Sequence, residues 1–261
     1  MRITLDGRAA LITGGSKGLG LAMARAFAEA GGHVALVARG AEALEAARAE
    51  VQAAAPGARV AAIPADIRDA AQCAHAFAAA EDALGRVDIL VNNAGTSQRG
   101  PFLDVPDEVW RDDLDLKLMA AVRLCRLAIP GMRERRWGRV INVLNIGAKA
   151  PPATSTPTSV SRAAGMALTK ALASEFAPFN VLVNALLVGV IESDQWVRRH
   201  ASDLRNIPWE EWKAEQGRSI PLGRIGRPEE FAALALLLAS EQGGYVTGTA
   251  INVDGGRSPV V

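Results

Sequence analysis

Seven short apolar runs separated by longer alanine-rich segments constrain this chain more than any other feature. The runs are "AALIT" (9–13), "HVALVAR" (33–39), "RVAAIPAD" (59–66), "VDILVNNAG" (87–95), "GRVINVLN" (138–145), "NVLVNALLVG" (180–189) and "TAINVDGG" (249–256). Several are apolar without polar alternation, the pattern of strands covered on both faces. The segments between them, such as Leu19–Ala30 and Glu42–Ala54, carry helical spacing. Strands alternating with helices predict an α/β fold, a doubly wound seven-stranded parallel sheet with helices on both faces.

The remaining composition excludes several classes. With 261 residues and 49% apolar content the chain can bury a large core and is not disordered. A formal net charge of +1 gives no reason to expect nucleic-acid or bulk-membrane partners. No apolar run approaches the ~20 residues of a membrane span, and the first one, Ala9 to Thr13, is too short for a signal-peptide core. Cys73 and Cys125 fall on predicted helices without metal-ligand spacing, and His33, His75 and His200 are scattered. The expectation is a cytoplasmic protein with free thiols and no metal.

No linker divides the chain, so residues 1–261 read as one domain. A segment at about 192–226, carrying Trp196, Trp209 and Trp212, interrupts the alternation after the sixth run. Ligands of doubly wound folds sit beyond the carboxyl ends of the strands, which makes this segment a candidate lid; a packed surface helix pair is the other reading. Arg198, Arg199 and His200 beside Trp196 suit an anionic or aromatic small-molecule substrate, although a solvated helix face explains them as well.

After the first run comes "TGGSKGLG", with Gly14, Gly18 and Gly20 at a strand-to-helix turn. Such a turn lets backbone N–H groups approach a pyrophosphate at the positive end of a helix. Together with "ADIRD", "VNNAG" and "PLGRIGRPEEFAALALLLASEQGGYVTGTAINVDGG", it resembles the short-chain dehydrogenase/reductase family from about residue 5 to 256. The resemblance implies a Rossmann-type domain that binds NAD(H) or NADP(H), in a homotetramer or homodimer. It implies Gly14, Ser16, Gly18, Leu19 and Gly20 at the diphosphate, Asp66 and Ile67 at the adenine, Asn93, Ala94 and Gly95 at the ribose, and Gly189 and Ile191 at the nicotinamide. Asp66 also reads as a helix N-cap. The second run ends Val37-Ala38-Arg39 with no carboxylate, and Lys17 sits in the glycine loop. Two cations and no acid favour NADP(H) over NAD(H).

Members of this family use a tyrosine acid, a lysine four residues on, a serine thirteen residues earlier and an asparagine on a preceding helix. This chain has one tyrosine, Tyr245, far downstream. Aligned on "SVSRAAGMALTKALASEFAP" and "WRDDLDLKLMAAVRL", the four positions hold Thr158, Arg162, Asn145 and Lys117. A threonine hydroxyl falls short of a tyrosine hydroxyl by roughly 4 Å and is too weak an acid to work unaided. Lys117 is the replacement with a usable proton, since burial near Arg162 would lower its pKa. The expectation is an NADP(H)-dependent oxidoreductase in which Lys117, directly or through a water near Thr158, is the general acid/base, with Asn145 and Arg162 positioning substrate and ribose; Arg162 also counts among the cofactor contacts. Two alternatives stand: a catalytically silent NAD(P)-binding pseudoenzyme, and a non-redox enzyme resembling the halohydrin dehalogenases. The intact glycine loop argues against the last. Lys117 snorkelling to solvent is the bland reading of that residue.

Overall fold

In a computed structural model, residues 3–261 are described, apart from the side chains of Asp194, Gln195 and Arg198. The seven runs form one parallel sheet: β1 (Ala9–Thr13), β2 (His33–Ala38), β3 (Val60–Pro64), β4 (Ile89–Asn92), β5 (Gly138–Asn145), β6 (Val181–Val188) and β7 (Ala250–Val253). Their order is β3-β2-β1-β4-β5-β6-β7, so the chain winds outward in both directions from β1 and β4. Register follows from the apolar pattern. Ala10 and Ile12 of β1 face one core with Val34 and Leu36 of β2, while Ala9 and Leu11 face the other with Ala35 and Val37. Both faces of the inner strands are thus buried, which is why those runs lack alternation, while the edge strands β3 and β7 are largely half-buried.

One face is covered by α1 (Gly18–Glu29), α2 (Ala41–Ala54) and α9 (Pro228–Ala239), through Met23, Phe27, Leu44, Val51 and Phe231. The other is covered by α3 (Ala70–Leu84), α5 (Ala120–Glu134) and α6 (Thr158–Phe176), through Cys73, Phe77, Leu124 and Cys125. Both thiols are free and buried. The α3 N-cap is Asp69, which accepts from the Gln72 N–H at 2.8 Å. Asp66 instead pairs with Arg68 at 2.6 Å, so its reading as the cap is corrected.

Helix α4 (Asp107–Leu114) runs into α5 through a π-helical turn, Asp115–Met119, that contains Lys117. The extra residue of such a turn re-aims the side chains on either side of it. A two-residue antiparallel ladder, Arg99–Gly100 with Thr156–Pro157, fastens the loop after β4 to the start of α6. The segment at 192–226 folds as α7 (Asp194–Ala201) and α8 (Trp209–Gly217). Trp209 and Trp212 stack at 5.5 Å with His200 edge-on to both, which packs this helix pair on its own aromatic centre.

Candidate active site

The sheet order reverses between β1 and β4, and a cleft of about 730 Å³ opens there beyond the carboxyl ends of the strands. Gly14 at φ 66° and Gly18 at φ 53° make the turn from β1 into α1. No side chain caps α1 at Lys17, so the first N–H groups of the helix remain for a ligand. A Cβ on Gly20 would overlap the Gly14 carbonyl oxygen, so this glycine is needed for packing the helix against the turn. Asn93 holds the same turn from the other side, donating from Nδ2 to the carbonyls of Thr13 at 2.9 Å and Gly14 at 3.2 Å. Thr13 Oγ1 in turn accepts from the N–H groups of Asn93 and Ala94. The loop and the end of β4 therefore form one rigid cradle.

Of the sequence-predicted cofactor residues, Gly14, Lys17, Gly18, Leu19, Asn93, Ala94, Gly95, Arg162, Gly189 and Ile191 line this cleft. Ser16, Gly20, Arg39, Asp66 and Ile67 do not, and the Ile67 side chain is committed to the core beside Cys73. Arg39 is exposed at the end of β2. Gly189 lies so close to Asp254 that a Cβ there would meet its backbone at 2.6 Å.

The four positions aligned with the family's catalytic set converge at the floor. Thr158, the first residue of α6, is 2% exposed and lines the cleft with Asn145 and Arg162. Its hydroxyl donates to the Gln98 carbonyl at 2.7 Å and accepts from the Gln98 N–H at 3.0 Å and from Lys117 Nζ at 2.8 Å. Lys117 is fully enclosed, which removes the snorkelling reading. It stands behind Thr158 and pairs with Asp113 one turn earlier. Asp113 is also enclosed, and its second oxygen accepts from Ser161 Oγ at 2.6 Å. Burial and the Arg162 charge pull Lys117 down to about 8, against the upward pull of Asp113.

Asp113 is the member of this buried cluster that the sequence reading missed. The available signal was its i,i+4 spacing to Lys117. Arg162 donates from Nη1 to the Val143 carbonyl at 2.9 Å, and burial pushes it down to about 10. A Cβ on Gly95 would overlap Arg162 Nη2, so that glycine makes room for the guanidinium. Among the described residues, Asn145 Oδ1 and Arg162 Nε are buried without partners. Such groups cost stability unless a ligand completes them.

At the opposite wall stand Ser193, Trp196 and Arg199 of the inserted segment. Arg199 lies over the Trp196 ring at 4.7 Å. His200 points away, its Nε2 2.8 Å from the Ile207 carbonyl, and the Arg198 side chain lies outside the described residues.

A glycine cradle at the N-terminus of α1, set at the switch point of a parallel sheet with partnerless polar groups across the cleft, defines a dinucleotide-binding protein of the Rossmann class. The family model described as "Enoyl-(Acyl carrier protein) reductase" matches residues 14–258. The chain belongs to the short-chain dehydrogenase/reductase family. It is 33% identical over 256 residues to the 3-oxoacyl-[acyl-carrier-protein] reductase of Aquifex aeolicus, covering 98% of this chain and 99% of that protein. An NADPH-bound short chain oxidoreductase from Pseudomonas aeruginosa PAO1, described as containing an atypical catalytic center, is 39% identical with a TM-score of 0.93. The match covers 99% of this chain and 100% of that one. The L-sorbose reductase of Gluconobacter frateurii, in complex with NADPH and L-sorbose, superposes with a TM-score of 0.94 at 33% identity and full coverage of both chains. Among the described residues no helix is long and apolar enough to cross a membrane.

Proposed function

We propose that this chain is an NADP(H)-dependent oxidoreductase of carbonyl or alcohol substrates in which Lys117 works through Thr158 in place of a tyrosine acid. The observation that carries the reading is the unbroken hydrogen-bonded path from Asp113 through Lys117 to Thr158, ending on the cleft wall beside Asn145. A bound nicotinamide cofactor supplies the hydride. In the reducing direction the Thr158 hydroxyl turns from the Gln98 carbonyl toward the substrate oxygen and gives it a proton. Lys117 Nζ, 2.8 Å away, replaces that proton. A group near pH 8 can hold and release a proton under ordinary conditions, which a lone threonine cannot. The contact between Lys117 and Thr158 supports a direct relay between those two groups.

Arg162 keeps a fixed positive charge beside the site and offers its partnerless Nε to ribose or substrate. The Asn145 side chain on the cleft wall would donate its amide N–H to the substrate oxygen, and its unengaged Oδ1 is left to accept from a donor of a bound molecule. Lys17 in the glycine loop and Arg39 after β2, with no carboxylate at that strand end, support a 2′-phosphate and hence NADP(H). NADPH in both related structures agrees with this choice. We retain the family's homotetramer or homodimer, a single domain with a lid at 192–226, and a cytoplasmic location as part of the reading.

The silent cofactor-binding alternative draws on one observation: Tyr245, the chain's single tyrosine, is fully exposed and does not line this chain's cleft. Screening NADPH consumption against a broad panel of ketones, aldehydes and oxo acids separates the two. Catalysed consumption with any of them supports the oxidoreductase, and tight NADPH binding with none consumed supports the silent protein.

A further inference from the structure

The chain as a whole is balanced, with 29 lysines and arginines against 28 acids. The cleft is not. Lys17, Arg99, Arg162, Arg199 and Arg257 line it, with no carboxylate among its described walls. Two of these belong to the cofactor end: Lys17 to the glycine loop, and Arg162 to the strand end that it grips. The other three come from separate parts of the chain. Arg99 lies on the short ladder after β4, Arg199 on α7, and Arg257 on the loop after β7.

Many exposed arginines elsewhere have acidic partners, as in Arg68–Asp66, Arg205–Asp203 and Arg224–Glu230, while others such as Arg39 and Arg218 stand alone among the described residues on the open surface rather than gathered in a cleft. Among the described residues, no carboxylate is within ion-pair distance of Arg99, Arg199 or Arg257. Burial, and then repulsion from Arg199 and Arg257, hold Arg99 below the usual guanidinium range. Arg99 in turn contributes to the lowering of Lys117. Arg99 thus feels both of the other guanidiniums and, electrostatically, stands between them and Lys117. Like charges gathered in a cleft without a counter-ion cost free energy, which a bound anion reverses. The dinucleotide's diphosphate does not serve, because its cradle is at the N-terminus of α1.

We infer that Arg99, Arg199 and Arg257 form a carboxylate subsite, and that the substrate is a compact oxo acid whose carboxylate docks there while its carbonyl meets Thr158 and Asn145. Guanidinium forks match a planar carboxylate in bidentate fashion, and the Trp196 ring beneath Arg199 offers an apolar wall to the carbon chain between the two groups. The inference rests on the oxidoreductase reading for the carbonyl half and stands independently for the anion half.

The test is a tryptophan-fluorescence titration of the NADPH-loaded protein. The probes are straight-chain 2-oxo and 3-oxo acids of about three to eight carbons, each paired with its methyl ester. At least one acid should bind about tenfold or more tightly than its ester. Arg99→Met and Arg257→Met should each remove most of that preference while leaving NADPH affinity unchanged. Because Arg99→Met relieves repulsion in the free protein, its melting temperature should equal or exceed that of the parent, which a structural arginine would not allow. If no acid outbinds its ester, or the preference survives both substitutions, the subsite is overturned. Selective acid binding without NADPH consumption would leave the subsite standing and defeat the redox reading. Reduction of neutral carbonyls with acids bound no better would do the reverse.

Discussion

Replacing Asp113 by asparagine tests how the buried lysine is tuned. The carboxylate meets Lys117 through one oxygen and Ser161 through the other, all of it enclosed. Asparagine keeps the shape and removes the charge, so burial and Arg162 act on Lys117 with less opposition. A hydrogen bond to a charged group contributes about 1.5–3 kcal/mol. Each pKa unit corresponds to about 1.4 kcal/mol, so Lys117 should fall by roughly one to two units from its value near 8. In the proposed mechanism protonated Lys117 is the acid for reduction. The kcat/KM for carbonyl reduction is therefore level at low pH and falls as pH rises through the Lys117 pKa. That fall should begin near pH 8 in the parent and at about pH 6–7 in the variant. At pH 7.5 the variant should be about 3- to 25-fold slower, and near pH 5.5 the two should differ little. Stability carries the same signature. The folded pKa of Lys117 lies below its ordinary 10.5, so the unfolded chain binds more protons between the two values. This group's contribution accordingly rises with pH from about 8 to 10.5 in the parent, and from a lower starting point in the variant. Steady-state NADPH absorbance across pH supplies the kinetic limb, and thermal melts supply the other. An alkaline limb that stays in place, or moves upward, would refute the coupling.

Three further outcomes follow from named contacts. Thr158→Val removes the hydroxyl that Lys117 and the Gln98 N–H both use, so turnover should fall by about 10²–10⁴ with unchanged NADPH affinity. The unpaired donors should cost about 1–3 kcal/mol of stability, and Thr158→Ser should restore much of both, as kinetics and denaturant unfolding will reveal. Gly20→Ala drives a methyl into the Gly14 carbonyl and against Asn93 Nδ2; it should lower stability by about 1–3 kcal/mol and weaken NADPH binding, as measured by calorimetry. Lys17→Met and Arg39→Met should each reduce the preference for NADPH over NADH by about tenfold, or about 1.4 kcal/mol, in paired binding titrations; tighter NADH binding by the parent would overturn the cofactor assignment.

Most of the fold was legible because its signals are local. The "AALIT" run is apolar on both faces, and each face meets a different core, so neither period nor composition misled. Strand ends were less legible: the run at 59–66 forms a strand only over Val60–Pro64, and 87–95 only over Ile89–Asn92. The loops beyond them are apolar for reasons of cleft lining and core cover. The ladder of Arg99–Gly100 with Thr156–Pro157 is too short to leave any period. In the site, the glycine turn and Asn93 could be read from sequence because each lies in a short contiguous motif, although the two meet across some 80 residues of chain. Asp113 left only its i,i+4 spacing to Lys117 as a signal, since its role depends on α6 bringing Thr158 and Ser161 across a π-helical turn. Arg99 and Arg257 lie more than a hundred and fifty residues apart and meet only through the parallel sheet. Asp66 was given a cap that Asp69 supplies, because either acid precedes the α3 pattern and only the backbone turn distinguishes them.

The central claim, that Lys117 supplies the proton through Thr158, is met most directly by single-turnover hydride transfer in the parent and in Lys117→Met. NADPH is bound first, and a carbonyl substrate from the panel is added while cofactor oxidation is followed. The account predicts equal NADPH affinity in the two proteins and a loss of about 10²–10⁴ in the rate of oxidation by the variant at pH 7. Equal rates in both proteins, or no oxidation by an NADPH-saturated parent with any carbonyl, would contradict it.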